Sequence, residues 1–528
     1  MTDVVGSPRA RPEAPRRRQA IIALTVVGVL LLAAAVADAV APPAPGAAAE
    51  RVAQDPASAG TWFCPSVAEE GGVALLHVAA VGDEPAQVVV ERYSSGAAVP
   101  DPPRTVEPGT EVVVRLAGKD AAAPSTVRWA GGPTAVVWRM FGDDQRGAAA
   151  PCERAPAPTW YLTGFSTTRG SEPLVHIFNP YTTDAVVRLD FGTPDGLSTL
   201  VIADNILVGA GQTRTLNLRR YEPELPDLGV TVVALAGRVV AQGELNVVPP
   251  PRTNSAAGRT MIPASPAASE EWYFATASDD KTTDSWVSML NPGDDAAAVE
   301  LRVTTPRGRG SSLLTEITVP PGAVSRVELA NASLRSHFGV SVAVVNGEQV
   351  VASRFTSRPS GSSHILTGGL GAPETSTTWA LLGAGPSRLV GWVSLFNPGP
   401  ETTTIDVHAP GAPETWTGIR LGPNRRTSVA LADAGGDLAS LPVVVRAQTP
   451  VVAGLRGVNA DLAYAGWQMV GIPDAAWIGA TTRPPVRHAP LLSTHLTTAA
   501  TPTEDPLAGL EDFDSPAPSA PTDATGGG

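Results

Sequence analysis

Lysine is almost missing from this chain of 528 residues: Lys119 and Lys281 are the only two. Arginine carries most of the positive charge, and Asp plus Glu outnumber Lys plus Arg by 51 to 38. Five arginines within the first 18 residues, against Asp3 and Glu13, give that stretch +3, so the rest of the chain carries −16 of the net −13. A body this acidic lacks the cationic face that a phosphate backbone requires, which excludes nucleic acid as a partner. Cysteine is equally scarce. Cys64 and Cys152 stand alone, with no Cys-x-x-Cys spacing, so a thiol redox motif is excluded. Charged residues make up only 17% and aromatics 5%, while 52 Gly and 51 Pro are abundant. Such a mix suits short strands joined by tight turns.

Catalytic signatures are missing as well. There is no Gly-x-Ser-x-Gly elbow, no His-Glu-x-x-His, no phosphate-binding loop and no Gly-x-Gly-x-x-Gly. The seven histidines (His77, His176, His337, His364, His408, His488 and His495) show no metal-ligand spacing. The acidic groups Asp143-Asp144, Asp279-Asp280 with Asp284, and Asp294-Asp295 lack the regular oxygen spacing of a calcium loop. The reading is therefore no catalytic residue, no metal ligand, no cofactor and no enzyme.

Long apolar runs are confined to one place. Residues 20–37, AIIALTVVGVLLLAAAVA, follow Arg16-Arg17-Arg18 and carry no charge. At 1.5 Å per residue, 18 residues just cross a hydrocarbon core of roughly 30 Å, and the basic side stays in the cytoplasm. We expect a membrane anchor with the bulk of the chain outside. A cleaved signal peptide, cut near Ala35-Val36-Ala37 or Ala39-Val40-Ala41, is the alternative. Export places Cys64 and Cys152 in an oxidising compartment. They bracket one unit, and a structural disulfide between them is expected.

What is plentiful after the anchor is repetition. IFNPY (177–181), MLNPG (289–293) and LFNPG (395–399) are three versions of one motif. Trp160 and Trp272 stand 19 residues before Asn179 and Asn291, and Trp379 stands 18 before Asn397. Alternating strands follow each motif, then two apolar runs that read as a hairpin, with Asn346-Gly347 as a hairpin turn signal. A degenerate earlier copy starts at Trp62. Its segment 75–93 aligns without gaps to 174–192, so His77 matches His176 and Ala80 replaces Asn179. Trp477 follows Trp379 by 98 residues, as if a further Trp strand closed the last copy. Copies of about 100 residues exceed solenoid periods and match the size of an immunoglobulin-like sandwich.

The expected fold is all-β: four tandem immunoglobulin-like β-sandwich repeats after one N-terminal transmembrane helix, arranged as beads or as packed pairs. The segments are a basic cytoplasmic stretch 1–19, the helix 20–37, a linker 38–60, copies at 61–153, 154–258, 259–370 and 371–490, and a disordered tail 491–528. Asn179-Pro180, Asn291-Pro292 and Asn397-Pro398 read as structural corners. Proline ends the ladder, Asn forms an Asx-turn, and Gly293 and Gly399 are free to take positive φ. Trp286 and Trp392 recur five residues before the Asn. They read as buried anchors, with an exposed platform for sugar rings as the sharper alternative.

The anchor, the start WFCP (62–65), and tandem copies carrying a Trp and then an apolar-Asn-Pro corner together resemble the uncharacterised actinobacterial secreted proteins grouped as a domain of unknown function. The resemblance spans about residues 61–485. It implies an extracytoplasmic place and all-β architecture, and brings no functional residues. The expected function is a non-enzymatic envelope protein, anchored in the membrane through its N-terminal helix, that binds or scaffolds at the cell wall. Its partner would be cell-wall glycan or an envelope protein. The alternative is a secreted glycan-acting hydrolase with its site between repeats, which needs paired carboxylates roughly 5–10 Å apart.

Overall fold

The computed structural model describes residues 59–474, apart from 66–71, 142–146, 249–257, 279–282, 306–310, 330–336, 361–362, 384–388, 410–415, 435–441 and 460–465. The expected anchor 20–37, the linker to residue 58, the tail 491–528 and Trp477 lie outside the described residues. Among the described residues no helix is long and apolar enough to cross a membrane.

The described chain is all-β, in four copies that each lay two sheets against a shared core. The strand Ala297–Thr304 shows why. Ala297, Val299, Leu301 and Val303 point inward and are buried, while Ala298, Glu300 and Arg302 between them are half-exposed, the period-2 pattern of a one-sided sheet. The tryptophan that opens each copy lies on an equivalent strand: Ala59–Cys64, Thr159–Phe165, Glu271–Ser278 and Ser376–Leu381. Trp62, Trp160, Trp272 and Trp379 are at most 3% exposed. Their indole Nε1 atoms donate to the carbonyls of Thr134, Val239, Val350 and Val451, at 3.1, 2.7, 2.7 and 2.9 Å. One pinning contact is thus made four times, in the degenerate first copy as well.

That contact holds the place where the chain changes sheets. The two apolar runs read as a hairpin do not pair with each other. Leu228–Ala236 lies between the Trp strand and Ala185–Thr193 in one sheet, whereas Val240–Val247 lies in the other, beside Ser171–Phe178. Ser125–Gly131 with Thr134–Phe141, and His337–Val344 with Val351–Ser360, repeat the crossing. In the fourth copy a single strand, Val443–Asn459, runs through both sheets. Both runs are apolar on their inner faces, so each satisfies a different sheet better than it would satisfy its neighbour.

The Asn-Pro corners behave as side-chain turns. Asn179, Asn291 and Asn397 are at most 1% exposed. Asn291 Nδ2 donates to the carbonyls of Asp295 (2.7 Å) and Val319 (3.0 Å), and its Oδ1 accepts from the Gly293 amide (3.0 Å). Asn179 and Asn397 repeat this set with Thr183, Val208 and Tyr181, and with Glu401, Leu421 and Gly399. Gly293 and Gly399 are not in the positive-φ region, contrary to expectation. Their small size matters instead: an added Cβ would stand 3.2 Å from the Asn Oδ1 in each. Asn291→Ala removes three bonds and leaves the buried Val319 carbonyl without a partner, so it should cost about 2–4 kcal/mol in denaturant unfolding. A loss under about 1 kcal/mol would refute this account.

Each second sheet ends in a short strand: Gly147–Pro151, Gly258–Pro263, Ser363–Leu370 and Gly466–Val470. Gly258–Pro263 pairs with Val240–Val247, so the second copy extends past the boundary placed at residue 258. These four strands meet in order, and the last returns to the first. The copies therefore form a closed set of four around one axis, neither beads nor separate pairs. The first and fourth copies even share one hydrophobic cluster.

Candidate functional site

The axis is where the copies converge on a cavity. Just beyond each axial strand, the chain pairs back to its own Trp strand through a two-residue bridge. Phe63 and Glu153 exchange both backbone bonds (2.8 and 2.7 Å), as do Tyr161 with Ser265 and Tyr273 with Ala372. Ala380 facing Ile472 is the fourth version. These bridges surround a cavity of about 230 Å³. Pro151, Pro263, Pro373 and Pro473 contribute one proline from each copy to its wall, with Trp62 and Trp379 behind them.

Its charged lining comes from Glu153, Arg154 and Glu374. Burial pushes the Glu153 carboxyl up to about 8, and Arg154 opposes that rise. The side chain keeps a partial opening to the cavity, although protein packs densely around the carboxyl. Desolvation lowers Arg154 in turn, countered first by Glu374 and then by Glu153. Arg154 Nε has no hydrogen-bond partner. Glu153 is thus a proton donor at neutral pH, beside a guanidinium with a free donor and a second carboxyl group. The Cys64–Cys152 disulfide forms as expected and closes an 88-residue separation, with Cys152 itself on the cavity wall.

None of the six corner residues (Asn179, Pro180, Asn291, Pro292, Asn397 and Pro398) lines this cavity. Trp286 is 5% exposed, stacked on Phe355 at 5.5 Å with the Arg326 guanidinium over its other face at 4.1 Å. It is a buried anchor, so the open sugar platform does not hold for it. Trp392 is half-buried with Arg456 over its ring at 5.5 Å. His77 and His176 are buried beside carboxylates, His77 against Glu111 and His176 3.3 Å from Glu244. No group of side chains suited to a metal ion is present among the described residues.

A signal for the axial bridges does exist in the chain. Glu153, Ser265 and Ala372 each stand seven residues before the next copy's tryptophan (Trp160, Trp272, Trp379). It is hard to read because the bridge is made by backbone, which leaves the side chain free to vary.

Side chains three residues before the corner position are polar and buried in all four copies: His77, His176, Ser288 and Ser394. They serve the seams between copies. Thr163 Oγ1 of the second copy and Ser288 Oγ of the third are 2.7 Å apart, and Ser288 donates to Asp227 at 2.8 Å. Gly164 leaves room for Phe355, whose ring would lie 2.0 Å from an added Cβ. Arg139 of the first copy donates to the Gly383 carbonyl of the fourth at 3.2 Å.

Fold and site together define an all-β protein of four paired-sheet copies closed about an axial cavity. The chain belongs to a family of unknown function (DUF5719), matched over residues 121–363 and again over 264–501. No curated protein matches it. Among solved structures it is similar to Thermotoga maritima 1070, at 12% identity over 20% of this chain and 96% of that one, with a TM-score of 0.19. It is also similar to a Streptomyces avermitilis alpha-L-rhamnosidase complexed with L-rhamnose, at 8% identity over 70% of this chain and 53% of that one, with a TM-score of 0.12.

Proposed function

We propose that this protein is a non-enzymatic extracytoplasmic envelope module, held to the membrane by residues 20–37, that binds or scaffolds at the cell wall through its closed set of immunoglobulin-like copies. The observation that carries the reading is the axial cavity. Four copies spend their buried polar groups on one another and leave a concave, mostly apolar recess with a few convergent polar groups, the usual form of a binding site. The Cys64–Cys152 bond on its rim agrees with an oxidising compartment. The acidic body, short of lysine, agrees with a partner other than nucleic acid.

The test is co-sedimentation of the unit Ala57–Gly528 with purified actinobacterial cell walls. Retention of the wild type, and its loss in an Arg154→Ala/Glu374→Ala variant of unchanged melting temperature, is the expected result. No retention of the wild type would sink the wall-binding reading and direct the search to membrane-protein partners.

One observation favours a second reading. Glu153 and Glu374 line the same recess between copies, and Glu153 holds its proton near neutral pH. A glycan hydrolase needs such an acid opposite a second carboxylate. Release of new reducing ends from wall polysaccharide, lost in Glu153→Gln and in Glu374→Gln, would establish it over the non-enzymatic reading.

A further inference from the structure

The seams between copies bury charge, and they do so unequally. In the second copy's seam with the first, Arg259 Nε stands 3.0 Å from Glu244, which also faces His176. In the seam between fourth and first, Arg139 is attracted by Glu111, the partner of His77. The seam between third and fourth is different in kind.

Arg354 approaches that seam from the third copy, on the core face of Val351–Ser360 opposite Val287. The register places it where the other copies carry Trp138, Gly243 and Leu455, so a charge replaces an apolar group or none. Arg354 is completely buried. Its Nη1 donates to Thr356 Oγ1 at 2.5 Å, while Nε and Nη2 have no hydrogen-bond partner. Among the described residues the charges that act on it are those of Arg456 and Arg426, both positive. Arg426 is 6% exposed and gives its donors to neutral acceptors, the Ala275 carbonyl (3.1 Å) and Ser394 Oγ (2.9 Å). The charge acting on Arg426 is again that of Arg456. Burial and this repulsion lower Arg354 only to about 9, so it is still a cation at neutral pH.

A buried cation without a counter-charge costs several kcal/mol, and like charges beside it add to that cost. We propose that the seam between the third and fourth copies holds a small inorganic anion of chloride size, ligated by the unpaired Nε and Nη2 of Arg354 in the field of Arg426 and Arg456. The fork of donors on a guanidinium suits an anion directly. The packing sets the size. Gly369, beside Arg354 on the neighbouring strand, lies so close to the fourth copy that an added Cβ would stand 3.3 Å from the Gln468 carbonyl. Packing this close favours a monatomic anion, which needs less room than a tetrahedral oxyanion with its hydration. The anion would fasten two copies, a role separate from the axial cavity.

The experiment uses bromide as the probe. Crystals of the full chain grown in sodium bromide are expected to show an anomalous peak within about 3.5 Å of the Arg354 guanidinium. In solution at constant ionic strength, exchanging gluconate for chloride should raise the wild-type melting temperature by about 1–3 °C per tenfold chloride once the site fills. Arg354→Met, which keeps the length without the charge, should lose that dependence. No bromide at Arg354 in the wild-type crystal would overturn the proposal, whatever the variant does. So would equal melting in chloride and gluconate, or an Arg354→Met variant with the wild-type chloride response. Stabilisation by phosphate in place of chloride would overturn the assigned size.

Discussion

Reducing the Cys64–Cys152 bond, or replacing both cysteines with alanine, is expected to remove about 4–5 kcal/mol of stability. The bond closes an 88-residue separation, and the chain-entropy relation assigns a loop of that length close to this upper range. Its position adds to the effect. Cys64 ends a Trp strand, and Cys152 follows the axial strand that meets both the second and the fourth copies. Loosening it frees the first copy at the axis, so the shared core of the first and fourth copies should loosen in the same transition. Urea unfolding with and without reductant measures the difference. A midpoint that does not move on complete reduction would show that the closed set holds the first copy without the bond.

Much of this arrangement is legible from local chemistry. The tryptophan spacing marks the copies, because one indole is needed in each to pin one crossing carbonyl. The Asn-Pro pair marks the corners, because the short Asn amide both accepts from the backbone amide two residues on and donates to two carbonyls. The crossing between sheets is not legible. VTVVALAGRVVAQGEL has the letters of a hairpin, and only the strands already waiting on each side decide that its halves part company.

The ring closure is also hidden, since it depends on contacts between residues as distant as Arg139 and Gly383. Its trace is a set of conflicts with the local rule. His77, His176 and Asp227 are polar groups at buried positions, and Arg354 is a charge at a core position of the sandwich. Taken one copy at a time, each looks like a polar residue with nowhere to go. Taken across copies, most are partners in a seam. The axial cavity inherits the same obscurity, because its walls come from four copies and its charged groups, Glu153 with Arg154 and Glu374, stand far apart in the chain.

Stability should fall as pH rises from about 4 to about 7, by about 4 kcal/mol from Asp227 alone. Asp227 is 4% exposed at the seam between second and third copies, accepting from Ser288 Oγ at 2.8 and 3.0 Å. Burial raises its carboxyl from 3.8 to about 7, against the smaller opposing pull of Ser288 and Arg326. Below the lower value both folded and unfolded chains are protonated there, and the seam has its full strength. Between the two values the unfolded chain sheds the proton into water while the native seam retains it, so each step in pH favours unfolding. Above about 7 both forms are ionised and this contribution is flat. Glu153, raised to about 8 by burial, adds a fall in the same direction that extends further. Asp227→Asn keeps the shape and the acceptor for Ser288 but cannot titrate. Its unfolding free energy should therefore decline less than that of the wild type over pH 4–7, with the two curves running parallel above pH 8. Equal slopes for both proteins between pH 4 and 7 would show that Asp227 reaches water, and that the seam between the second and third copies is open where it is described as closed.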